Sequence, residues 1–192
     1  MEKFKILSDI IKKRRSIFPP SFEKREIEDE TIIKILENAN CAPSHRKTEP
    51  WRYKIFKGDA LVKLADFLSD QYKKNTPADL FSEFKYNKTR KKVLISPCII
   101  AICMQRDPKE SVPEWEELCA VACSVQNLWL SSSALGIGGY WSSPKSIENM
   151  GELISLNPGE KCIGIFYMGY TENGAFESDQ IGPVSQKLDW IE

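Results

Sequence analysis

Residues 115–141 read WEELCAVACSVQNLWLSSSALGIGGYW, and this stretch decides the fold. From Trp115 to Leu135 the chain is apolar around most of a helical circumference. A helix without a broad polar face lies in a core or an interface. Gln126, Asn127 and the serines Ser131 to Ser133 make the stretch too short and too polar for a membrane span. Gly136 to Trp141 then leaves the helix as a short strand.

Working outward, Cys98 to Met104 is an unbroken apolar run of strand length, the pattern of a buried strand. Cys162 to Tyr170 reads as a second central strand, and Trp51 to Phe56 alternates as a strand does. Residues 2 to 13 place Phe4, Ile6, Leu7, Ile10 and Ile11 on one helical face, before the basic run Lys12 to Arg15. A second helix spans Asp29 to Asn40, with Asp29 as N-cap and Ile32, Ile33, Leu36 and Ala39 facing inward. A third runs from Ala60 to Lys73. Asn75 to Arg90 is a polar helical excursion, residues 105 to 113 are a loop, and a short helix follows Pro144. The tail from Thr171 has no helical period and ends in Val184, Leu188, Trp190 and Ile191, apolar residues for which a partner subunit is a natural cover. No linker or repeat divides residues 1–192, which predicts one domain, an α+β or α/β sandwich around one mixed sheet.

The 192 residues carry 27 basic and 27 acidic side chains, a balance that argues against a nucleic-acid binder. The start, Met1 to Lys5, lacks the apolar core of a secretory signal. Six cysteines without Cys-x-x-Cys spacing suit a reducing cytoplasm and act mostly as small hydrophobes, Cys119 and Cys123 among them. A single histidine, His45, excludes a zinc site with two histidines and leaves a Ser-His-Asp or Cys-His enzyme only one base.

Three segments could bind a ligand. Arg14-Arg15-Ser16 offers two guanidinium groups and a hydroxyl, a phosphate-binding combination that equally describes a solvated helix end. Ala42 to Trp51 is a loop dense in hydrogen-bonding groups and pinned by Pro43 and Pro50. Gly136 to Ser143 gives backbone that a flat ligand can approach, or simply a helix-capping glycine and a turn. Glu116 and Glu117 read as favourable charges at a helix start.

In this order the segments resemble the nitroreductase family of flavoproteins, in its short single-domain form. The likeness rests on Arg14-Arg15-Ser16, the Ala42-Pro43-x-His45 loop ending in Pro50-Trp51, Val112-Pro113-x-Trp115-Glu116, and Gly136-x-Gly138-Gly139-Tyr140-Trp141. It implies an α+β, three-layer α/β/α sandwich with a central mixed, mainly antiparallel sheet and a long buried helix at the core of a homodimer. It also implies FMN at the subunit interface, with NADH or NADPH as electron donor and a nitroaromatic, quinone or similar small-molecule acceptor in a ping-pong cycle. Nucleic acid and membrane are not expected partners.

On this resemblance Arg14, Arg15 and Ser16 meet the FMN phosphate and ribityl chain. His45 and Glu49 reach the partner's cofactor. Gly138, Gly139, Trp141, Ser142 and Ser143 follow the turn beside the flavin. The chemistry belongs to the flavin, so no catalytic triad is needed. Glu49 stands where the family usually has glutamine, Lys47 replaces an amide or hydroxyl, and Ser142 and Ile181 stand where arginines are common, with Lys145 or Lys187 as possible substitutes. Two other readings use the same residues: a flavin-binding or flavin-storing homodimer without nicotinamide turnover, and a thiol redox protein working through Cys119 and Cys123.

Overall fold

The computed structural model describes residues 1–172 and 182–191. Its helices are α1 (Glu2–Lys13), α2 (Asp29–Asn40), α3 (Asp59–Lys74), α4 (Glu83–Leu94) and α5 (Glu114–Ala134). Its strands are β1 (Trp51–Phe56), β2 (Cys98–Gln105), β3 (Ile137–Ser142) and β4 (Glu160–Tyr170). The strands lie in the order β1-β2-β4-β3, antiparallel at every pairing. Among the described residues the parallel component is a single bridge, Ser16 to Gly139.

β2 is buried from Cys98 to Met104, so both its faces need cover. On one face Ile100, Ile102, Met104 and Phe166 pack against Ile32, Ile35 and Ala39 of α2 and Val121, Val125 and Leu128 of α5. On the other, Ile99, Ala101, Ile165 and Tyr167 pack against Leu61, Leu64 and Leu68 of α3, Val93 of α4, and Ile147 and Met150 of the 3₁₀ segment Lys145–Glu152. Each large apolar side chain among them contributes about 2 kcal/mol by leaving water. The result is the three-layer sandwich that the resemblance implies. The register shifts between Ile102 and Cys103, because β4 carries a bulge at Ile163. The extra residue turns Cys162 toward the α3 layer and Ile163 toward α2 and α5.

Several expectations are corrected. Asp29 is the first residue of α2, not its cap; Glu28 holds the cap position, without a side-chain bond. Ile35 is buried where Ile33 was expected, and Ile33 is exposed. Both lie near the apolar face, and the sheet selects the one at three and four residues from Ile32 and Ala39. The polar excursion is helical only from Glu83, where the Ser82 hydroxyl accepts the Lys85 N–H. The helix after Pro144 is of the 3₁₀ type. Cys119 and Cys123 are exposed, as is Cys41, so only Cys98, Cys103 and Cys162 are core residues. Burial pushes the Cys98 thiol up to about 12. The position of Ile181 lies outside the described residues.

Much apolar surface has no cover among the described residues. α1 buries none of its residues, and Phe4, Ile6, Leu7 and Ile11 are exposed. The same holds for Trp115 and Leu118 on α5 and for Val184, Leu188, Trp190 and Ile191 in the tail. On α5 the exposed positions Trp115, Leu118, Cys119, Ala122, Cys123 and Gln126 recur at steps of three and one, a continuous stripe along one side. Among the described residues no helix is long and apolar enough to cross a membrane.

Candidate functional site

The end of α1 and the start of β3 come together although they lie more than a hundred residues apart. After Lys13 the chain extends, and Arg14 donates its N–H to the Ile10 carbonyl at 3.0 Å, closing the helix. The Arg14 guanidinium lies over the Trp129 ring at 4.5 Å, and the Trp129 indole N–H donates to the Arg15 carbonyl at 3.2 Å. The Ile17 N–H donates to the Gly139 carbonyl at 3.0 Å, so Ser16 and Ile17 run beside β3. This close approach requires the glycines. A Cβ on Gly138 would meet Thr171 and Ile17 at 2.8 and 3.0 Å, and one on Gly139 would meet the Tyr167 carbonyl at 2.5 Å. What the backbone of Gly138 and Gly139 approaches is therefore the chain itself. Gly136, at φ +72°, ends α5. A narrow cleft of about 30 Å³ remains between Arg15, Trp129 and Gly138. Burial, and then the charge of Arg15, hold the Arg14 guanidinium below its ordinary range.

β3 runs on into a second feature. Trp141 lies across Gly164, where an added Cβ would fall 2.0 Å from the indole nitrogen. Ser142, Ser143 and Pro144 then lead to a cavity of about 270 Å³ under α3 and α4, lined by Gln71, Thr89, Lys92, Lys145, Ser146 and Tyr167 among others. Among the described residues no carboxylate lines it. Lys92 Nζ donates to the Tyr140 hydroxyl at 2.6 Å and sits 4.6 Å above the Tyr167 ring. The two tyrosines stack with centroids 5.0 Å apart. Burial, with Tyr140 beside it, raises the Tyr167 hydroxyl well above the usual phenol range. Lys92 has no carboxylate partner among the described residues. Sequence reading missed it. It lies in a polar helix full of lysines, and its place under the tyrosine stack has no local signature.

The loop between α2 and β1 sits elsewhere. Arg46, Lys47 and Glu49 take positive φ of 52°, 55° and 43°, which costs non-glycine residues roughly 1 kcal/mol or more each. The loop is anchored by the Trp51 indole N–H on Asn40 at 2.8 Å and by the Pro50 carbonyl on the Gln105 N–H at 2.7 Å. His45 Nδ1 lies 2.5 Å from Glu116 Oε2 in the first turn of α5. The adjoining Glu117 is buried and accepts from Arg106 and from the Asp107 N–H at 2.9 Å. These acids are thus paired individually, beyond the general favour of a helix start.

The predicted site residues consequently form two groups in one chain. Arg14, Arg15, Ser16, Gly138 and Gly139 gather at the C-terminal end of α5, whereas His45 and Glu49 gather at its N-terminal end. Trp129 lies thirteen residues beyond Glu116 along the helix, roughly 20 Å. Two of the three buried polar side-chain atoms without a hydrogen-bond partner, among the described residues, are Arg15 Nε and Trp141 Nε1. The third, Glu160 Oε1, has Lys54 Nζ at 3.1 Å and is compensated as an ion pair.

Residues 11–170 match the nitroreductase family, and the chain belongs to it. It is 28% identical over 173 residues to YfhC of Bacillus subtilis, provisionally named an NAD(P)H nitroreductase, covering 87% of this chain and 85% of that one. The crystal structure of a nitroreductase-like family protein from Bacillus cereus is similar at a TM-score of 0.80 and 29% identity, covering 97% of this chain and 96% of its own. NfnB from Mycobacterium smegmatis, an FMN-dependent nitroreductase crystallised with NADPH, shares the fold at a TM-score of 0.77 and 18% identity, covering 98% of this chain and all of its own.

Proposed function

We propose that the chain is an FMN-dependent oxidoreductase that moves hydride from NADH or NADPH to a nitroaromatic, quinone or related conjugated acceptor, working as a homodimer in a ping-pong cycle. The observation that carries the two-chain site is the division of its residues between the ends of α5. Two α5 helices packed antiparallel along their exposed stripes set the His45 end of one chain against the Arg15 end of the other. The exposed apolar residues of α1 and the tail are further surface that a second copy would cover.

The residues present fit FMN. Arg15 Nε and Trp141 Nε1 are buried N–H donors in want of acceptors, and a phosphate and a polar ring system are rich in them. Arg14, Arg15 and Ser16 would hold the phosphate. Trp141, Ser142 and Ser143 would flank the ring, and Lys92 and Lys145 would bring positive charge toward it. FMN when bound supplies the hydride chemistry. The chain's part is to place the ring at the edge of β3, with Trp141 covering the α5 side and Tyr140 and Lys92 the α3–α4 side.

A visible absorption spectrum tests this reading. The purified protein, loaded with FMN, should show flavin absorbance that bleaches on anaerobic addition of NADPH or NADH. Bound flavin that neither nicotinamide bleaches would favour the storage reading, and no flavin after incubation with FMN would overturn both.

A further inference from the structure

His45 is the only histidine of the chain, and its ring is held from one side only. Nδ1 lies 2.5 Å from Glu116 Oε2, while Nε2 has no partner among the described residues and the ring is 58% exposed. A carboxylate is an acceptor only, so Nδ1 must carry a proton in this contact. The exchangeable position of the ring is then Nε2. The neighbouring acids cannot take over the role of Glu116. Glu117 is turned inward to Arg106, and Glu114 pairs with Lys161. The loop also fixes the ring from its own side, since the Glu49 N–H donates to Ser44 Oγ at 3.3 Å and Arg46 is held at positive φ. A carboxylate that orients an imidazole whose far nitrogen is free is the arrangement of a positioned proton carrier.

We infer that Glu116 is a positioning residue that holds one proton on His45 Nδ1, so that Nε2 faces the site and, in the doubly protonated ring, gives its proton to the acceptor's oxygen. This rests on the reading above, in which the His45 end of one chain meets the flavin site of the other. As the acceptor takes hydride from reduced flavin, its π-electron pair moves onto oxygen. The Nε2–H bond breaks with its electrons staying on nitrogen, and an O–H bond forms. The ring is left neutral with the Nδ1 proton still on the Glu116 side, and solvent returns a proton to Nε2.

One histidine makes the test direct. Two-bond ¹H–¹⁵N spectra of FMN-loaded protein labelled at histidine show one imidazole. The neutral ring of the native chain should carry its proton on Nδ1. Glu116→Ala should move it to Nε2, the form free imidazole side chains prefer, and Glu116→Gln, which keeps an acceptor, should hold it on Nδ1. A native ring protonated on Nε2 overturns the inference whether or not flavin binds. The second measurement is acceptor reduction by pre-reduced protein in H₂O and D₂O. His45→Gln should slow it about a hundredfold and Glu116→Ala about tenfold, with loss of the solvent isotope effect in His45→Gln. If flavin binds and is reduced by nicotinamide but His45→Gln keeps the native acceptor rate and isotope effect, the inference fails and the oxidoreductase reading stands. If no flavin binds, that reading fails separately.

Discussion

Half-buried Arg15 and buried Glu160 show how differently two charged side chains behave. Arg15 Nε has no partner, so its donor capacity is spare. Removing it by Arg15→Ala should weaken FMN binding by about 1.5–3 kcal/mol, roughly ten- to a hundredfold in Kd by flavin fluorescence titration, while the fold persists. Glu160, in contrast, is fully compensated. Burial acts to raise its carboxyl, but the Asn157 backbone N–H and Lys54 outweigh that and hold it below its ordinary 4.5. A folded value below the unfolded one means the stabilisation is present above pH 4.5 and lost as pH falls through the lower folded value. Urea midpoints should therefore drop on acidification below 4.5, and Glu160→Gln should flatten that drop while lowering stability at neutral pH. Neither role is legible from a single position. Glu160 follows a Pro-Gly turn and looks like a surface residue; only the fold brings Lys54 to it.

At the scale of elements, what local pattern controls was readable. Cys98–Gln105 is a strand because an unbroken apolar run of that length between a proline and a polar loop has few alternatives. α5 was readable for the same reason, to within a residue at each end. What long-range contact decides was not: the choice of Ile35 over Ile33, the bulge at Ile163 and the exposure of Cys119 and Cys123 depend on which surface arrives opposite. Of the candidate site, the resemblance pointed to Arg14–Ser16 and to Gly138–Gly139 as segments but not to their meeting, and neither the tyrosine-stacked Lys92 nor the Glu116 contact of His45 could be read. The exposed stripe on α5 carries its own expectation. Leu118→Glu puts a charge into the middle of the proposed interface. It should convert a dimer to a monomer in sedimentation, and FMN binding should fall with it. A Leu118→Glu dimer that still binds FMN would remove α5 from the interface. At β3, Gly139→Ala should cost about 1–3 kcal/mol by crowding the Tyr167 carbonyl, seen as a lower Tm.

The whole molecule is a well-packed sandwich with a poorly covered periphery. Its sheet is closed on both faces by the chain itself, so the fold does not need a second copy for its core. The periphery is another matter, and α1 is its clearest part. Twelve residues long, it fully buries none of them, touches α2 and α5 along Leu7 and Ile10, and is tied down just beyond its end by Arg14 on Trp129 and the Ser16–Gly139 bridge. An isolated helix of that length is marginal in water. Its backbone amides are thus a built-in clock for assembly. In dilute protein they should trade hydrogen for deuterium within the dead time of mixing, while those of β2 and β4 stay protected. In concentrated, FMN-loaded protein the same amides should slow together, timing how long the second subunit stays in place.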